Sequence, residues 1–213
     1  MNLRITEIFL SLQGESRTVG LPTVFIRLTG CPLRCVYCDT EYAFHGGTQI
    51  SLEDIVKKAL DYGVKNVCVT GGEPLAQPNY LTLMQALVSA GLDVSLETSG
   101  SMDIAGVDPK VSVVMDLKTP ASGELDKNCY ANLDLLKPKD QLKFVICDRQ
   151  DYDWAKLTLD RYNLYQNGCE LLFSPSFEQV KPTQLADWIV ADALAVRMQL
   201  QLHKILWNDE PGR

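Results

Sequence analysis

Val24-Phe25-Ile26-Arg27-Leu28-Thr29, then Gly30, then Cys31-Pro32-Leu33-Arg34-Cys35-Val36-Tyr37-Cys38-Asp39-Thr40: an apolar strand runs directly into three cysteines within eight residues. The strand alternates, with Phe25, Arg27 and Thr29 on one face and Val24, Ile26 and Leu28 on the other. Further strand-like runs occupy residues 5–10, 66–69, 94–97, 111–116, 142–146, 170–173 and 198–202. Helical periodicity fills the gaps. Leu52, Ile55, Val56, Ala59 and Leu60 form one apolar stripe, with Ser51 and Asp54 as a capping start and Gly63 as a stop. Asn79 is expected to cap a second helix carrying Leu81, Met84, Leu87 and Val88, and Thr183 to open another with Leu185, Trp188 and Ile189. Strands joined through helices imply right-handed crossovers and a mainly parallel sheet. Six or seven such units in 213 residues fall short of an eight-fold barrel of ~250 residues. The expected fold is therefore α/β, an incomplete barrel, with residues 1–213 as one domain and Gly46-Gly47 and residues 120–123 as internal loops.

Twenty basic and 27 acidic side chains give a net charge of −7 without a basic block. That argues against a duplex nucleic-acid or anionic-membrane binder. The longest uncharged stretch, residues 74–92, is interrupted by Gln77, Pro78, Asn79 and Gln85 and does not read as a membrane span. The chain starts without a basic region followed by an apolar run, so a cytoplasmic location is expected. There the seven cysteines would stay reduced or bind metal.

Three thiols on one loop suit zinc or an iron–sulfur cluster. A structural zinc site takes four protein ligands, and no second cysteine pair is present. A site closed by His45, or three ordinary thiols, remain alternatives. A four-iron cubane on Cys31, Cys35 and Cys38 would leave one iron for a small molecule. The C-x3-C-x2-C spacing, with Tyr37 before the last cysteine, resembles the cluster loop of the radical S-adenosylmethionine (SAM) superfamily. The resemblance implies a [4Fe–4S] cluster whose open iron binds the amino and carboxylate groups of SAM. It also implies one-electron cleavage of the C5′–S bond and hydrogen abstraction from a substrate. The fold it implies is a (β/α)6-like partial barrel.

Three further segments fit that reading. Thr70-Gly71-Gly72-Glu73-Pro74 ends a strand with glycines that let backbone approach closely and an acid that can meet an ammonium; a plain tight turn is the alternative. Glu97-Thr98-Ser99-Gly100 and Asp116-Leu117-Lys118-Thr119-Pro120 also follow strands, at the rim where barrel enzymes keep their sites. Leu12-Gln13-Gly14-Glu15, Arg27 and Cys38-Asp39-Thr40 make the chain, from about residue 5 to 207, similar to the 7-carboxy-7-deazaguanine synthase family. That resemblance implies conversion of 6-carboxy-5,6,7,8-tetrahydropterin to 7-carboxy-7-deazaguanine with loss of ammonia, in queuosine and 7-deazapurine biosynthesis.

The resemblance also distributes roles. Tyr37, Cys38, Asp39, Gly72 and Glu73 would position SAM, together with Gly100 and the segment Lys118, Thr119, Pro120. Leu12, Gln13, Gly14, Glu15, Arg27 and Thr98 would hold substrate, and Thr40 would ligate Mg²⁺. On residue chemistry alone, Arg27 demands an anion: a substrate carboxylate or an internal acid such as Glu7 or Glu97. A homodimer is implied, with a flavodoxin or ferredoxin as electron donor, and a tail at residues 208–213 that reaches toward the substrate. Two departures stand out: Pro32 follows the first cysteine, and Lys118-Thr119-Pro120 replaces the Ser-Pro-Lys of many members. An activase making a glycyl radical on a partner protein and a zinc-binding module are the competing functions.

Overall fold

In the computed structural model, which describes residues 1–208, 210 and 212, the alternation of β2 (Pro22–Leu28) is realised in space. Val24, Ile26 and Leu28 are fully buried in the main core, while Phe25 and Arg27 face a cavity. The sheet also contains β1 (Asn2–Leu12), β3 (Thr48–Ser51), β4 (Asn66–Gly71), β5 (Asp93–Thr98), β6 (Ser112–Asp116), β7 (Gln141–Ile146), β8 (Glu170–Pro175) and β9 (Arg197–Met198). Its order is β3-β1-β2-β4-β5-β6-β7-β8-β9. From β2 onward every pairing is parallel, and β1 runs antiparallel to both of its neighbours. The sheet is open, as expected of an incomplete barrel.

The helices are α1 (Leu52–Asp61), α2 (Tyr80–Ser89), α3 (Arg149–Arg161), α4 (Pro182–Ala191) and α5 (Leu202–Trp207). Ser51 caps α1 as expected, its hydroxyl accepting from the Asp54 amide at 3.1 Å. Asp148 does the same for α3, accepting from the Asp151 amide at 2.9 Å. Asn79 differs from expectation: it is left-handed (φ 69°) and makes no side-chain cap. Its amide donates instead to the Asn2 carbonyl. Thr183 lies one residue inside α4, which starts at Pro182, where a fixed φ and a missing N–H cost nothing.

Two segments are corrected. Residues 198–202 are not a strand: β9 ends at Met198, and Leu202 opens α5 with its amide on the Gly14 carbonyl. Thr48–Ser51, after the Gly46-Gly47 loop, is a short edge strand paired with β1. The β5–β6 and β6–β7 crossovers contain no α-helix. They are loops and 3-10 turns such as Pro120–Ser122 and Tyr130–Leu135. Helices therefore cover fewer crossovers than a full (β/α)6 pattern would.

Candidate active site

Each parallel strand sends alternate side chains to the concave face, and their ends form the wall of a cavity of about 480 Å³. Arg27 on β2, Thr70 on β4, Glu97 on β5, Asp116 on β6 and Lys143 on β7 all line it. The cysteine loop closes over this wall. Gly30 turns at φ 98°, its amide on the Ala43 carbonyl, and the Val36 amide holds the Ser122 carbonyl at 3.0 Å. At Gly71 a Cβ would lie 2.4 Å from the Leu28 carbonyl oxygen, and at Gly72 only 2.3 Å from that of Gly30. The Glu73 amide donates to the same Gly30 oxygen at 2.8 Å. The glycine pair thus lets the β4 turn pack onto the base of the cysteine loop.

Cys31, Cys35 and Cys38 all line the cavity. Burial pushes all three thiols up, Cys35 to about 11; neighbouring cysteines raise Cys31 and Cys35 further, and the carboxylates of Asp39 and Glu41 raise Cys38. Thiolate formation would then accompany metal binding and release protons. Among the described residues no three His, Cys, Asp or Glu side chains surround one point closely enough to hold a single metal ion. Three thiols from one loop that line one cavity are a donor set that fits a cubane and leaves its fourth iron without a protein ligand. Tyr37 Oη and Asp116 Oδ1 are buried and have no hydrogen-bond partner among the described residues. Buried polar atoms are normally paired, so both fit a polar ligand in the cavity. Lys118 Nζ lies 3.1 Å from Asp116 Oδ2 and 5.6 Å from the centre of the Tyr37 ring.

The residues assigned to SAM by resemblance divide. Tyr37, Cys38, Asp39, Gly72 and Lys118 line the cavity; Glu73, Gly100, Thr119 and Pro120 do not. The Glu73 carboxylate is fully buried and accepts from the Leu75 and Ser99 amides and from the Thr98 and Ser99 hydroxyls. It clamps the end of β5 to the glycine turn and leaves Gly71 and Gly72 at the cavity. Gly100, at φ 72°, gives its carbonyl to the Cys129 amide. The Thr119 hydroxyl sits 3.0 Å from both the Asp151 carboxylate and the Val145 carbonyl, beneath the site.

The residues assigned to substrate, Leu12, Gln13, Gly14, Glu15, Arg27 and Thr98, all line the cavity. Arg27 Nε donates to Glu7 Oε1 at 2.7 Å, so an internal acid takes one of its donors. Gln13 donates to Glu97 at 3.3 Å and accepts from the Glu15 amide. Glu15 is paired with Lys143 at 2.6 Å and accepts from Gln201 at 2.8 Å. Burial alone would raise the Glu15 carboxyl, but Lys143 and Gln201 outweigh it and hold it below the usual range. Thr40 Oγ1 donates to Asp39 at 2.7 Å, which leaves the hydroxyl lone pairs to act as a hard oxygen ligand. Burial also works against the Asp39 charge. Lys204 at 3.2 Å and the Thr40 hydroxyl overcome it, bringing the carboxyl down to about 2.

Sequence reasoning did not single out Lys143, Gln201, His203 or Lys204. Lys143 had a signal, a lone cation at an alternating position within apolar β7. The other three come from a C-terminal strap that folds over Gly14, where a Cβ would fall 2.0 Å from His203 Nδ1. In the tail, Glu210 and Gly212 line the cavity, while Asp209, Pro211 and Arg213 lie outside the described residues.

The family model described as the Radical SAM superfamily matches residues 25–162. The chain is 43% identical to a 7-carboxy-7-deazaguanine synthase of Chlorobaculum tepidum, covering 98% of this chain and 96% of that protein. It is 42% identical to one of Koribacter versatilis, covering 98% of each. Its fold is similar to the crystal structure of QueE from Escherichia coli, with a TM-score of 0.78, 24% identity and 95% of each chain covered.

Proposed function

Because the chain belongs to the radical SAM superfamily and, within it, to the 7-carboxy-7-deazaguanine synthases, we propose that its cavity seats a carboxylated pterin between the cysteine loop and the strap. The enzyme is a carbon–nitrogen lyase that converts 6-carboxy-5,6,7,8-tetrahydropterin to 7-carboxy-7-deazaguanine with loss of ammonia, for queuosine and other 7-deazapurines. It uses a [4Fe–4S] cluster and SAM, which when bound supply a hydrogen-abstracting radical at the cost of one electron.

Cys31, Cys35 and Cys38 hold the cluster. The Gly71-Gly72 backbone, Tyr37, Asp39 and Lys118 orient SAM beside it. Arg27 receives the substrate carboxylate, and Thr40, together with the substrate, would hold a Mg²⁺ through its hydroxyl oxygen. Gln13, Glu15 and the Leu12–Gly14 backbone take the amino-pyrimidinone edge. The strap from Gln199 to Lys204 covers the site and excludes water. Residues 1–213 act as one domain in a cytoplasmic homodimer that takes electrons from a flavodoxin or ferredoxin, with neither nucleic acid nor membrane as a partner. Among the described residues no helix is long and apolar enough to cross a membrane.

The observation that carries this reading is the convergence of three cysteine thiols and an alternating row of charged strand residues on one cavity. Product identification tests it. Reduced, cluster-loaded enzyme given SAM, Mg²⁺ and the carboxy-tetrahydropterin should accumulate 7-carboxy-7-deazaguanine over many turnovers. Formation of 5′-deoxyadenosine without that product would point to an activase.

A further inference from the structure

We propose that Glu7 is a positioning residue: it presents Arg27 to the substrate carboxylate and so sets the preference for a carboxylated ligand. The inference rests on the reading of Arg27 given above. It begins with a break in the pattern of β1. Leu3 and Ile5 point into the core, and strict alternation would bury residue 7 there as well. The β1–β2 register shifts between Ile5 and Glu7, after which Ile8 takes the core position and Phe9 lines the cavity. The bulge brings Glu7 opposite Arg27, and bulges near active sites characteristically re-aim side chains.

One Glu7 oxygen does two jobs. Oε1 accepts from Arg27 Nε at 2.7 Å and from Tyr42 Oη at 2.8 Å. With Nε taken, the two terminal nitrogens of Arg27 form the remaining fork for bidentate contact with a carboxylate. The Arg27 guanidinium makes no other hydrogen bond among the described residues, and the side chain is 15% exposed. Glu97, on the same wall, also attracts Arg27. Glu7 therefore holds the guanidinium away from a competing internal acid that would occupy the fork. Tyr42 stands two residues beyond Thr40, so the same carboxylate ties Arg27 to the exit of the cysteine loop.

Equilibrium binding to cluster-loaded, unreduced enzyme with Mg²⁺ tests this, using 6-carboxy-tetrahydropterin and tetrahydropterin lacking the carboxylate. Glu7→Ala should weaken the carboxylated ligand at least tenfold and the other less than twofold. Glu7→Gln, which keeps an acceptor for Arg27 Nε and Tyr42, should lose less than Glu7→Ala. Equal weakening of both ligands would make Glu7 merely structural and overturn the proposal, as would no weakening of either. Arg27→Ala, measured alongside, separates the two readings. If it keeps the preference for the carboxylate, the role of Arg27 fails and the proposal with it. If it abolishes the preference while Glu7→Ala preserves it, only the role of Glu7 fails.

Discussion

Seven cysteines are chemically alike in the sequence, and their surroundings separate them. Cys31, Cys35 and Cys38 face the cavity, whereas Cys68 is buried in the middle of β4. Cys31→Ala should abolish retention of iron and sulfide after anaerobic reconstitution, and Cys68→Ala should retain both. Equal loss in the two would mean that the ligands are misassigned. The triplet was legible because its spacing is local. The alternation of β2 likewise set Arg27 on one face with Phe25, and that face is the one that lines the cavity. Its partner was not legible, since two internal acids were equally placed until the bulge in β1 brought Glu7 opposite. Glu73 was opaque for a similar reason. An acid after two glycines reads the same whether it meets a ligand or, as here, folds back onto Thr98 and Ser99.

At the scale of elements, the strap is the part that local patterns described least well. Residues 198–202 look like a strand, but their role is set by contacts with residues far away in sequence. Gln199 exchanges two hydrogen bonds with the Ser16 backbone, and Gln201 donates to Glu15. The short edge strand β3 was hidden by its length and by the adjacent glycines, whereas α1 was legible from its stripe and cap. Glu15 joins the N-terminal loop, β7 and the strap, and this gives the element a pH dependence. Its folded carboxyl titrates below the unfolded value of about 4.3, so the stabilisation is complete above that value and is lost as pH falls through the folded one. In cluster-free protein, Glu15→Gln should lower the urea-unfolding free energy by about 2 kcal/mol at pH 6, because Lys143 keeps only its longer contact with Asp116, at 3.8 Å. The difference from wild type should shrink toward pH 3. Parallel pH profiles for the two proteins would show that the pair contributes nothing.

For the whole molecule, an open, mainly parallel sheet faces a charged cavity, with apolar residues on the other side packed beneath the helices. The fold class was legible because strands and turns alternate at regular spacing. The two crossovers without α-helices were not, since loops and 3-10 turns leave no periodic signal. Catalysis of the proposed kind requires a cubane with one iron that no side chain ligates. Electron paramagnetic resonance of the reduced, reconstituted enzyme, recorded with and without SAM, tests that claim most directly. A [4Fe–4S]⁺ signal that shifts when SAM is added is the predicted result. No cluster signal, or one that SAM leaves unchanged, would contradict it.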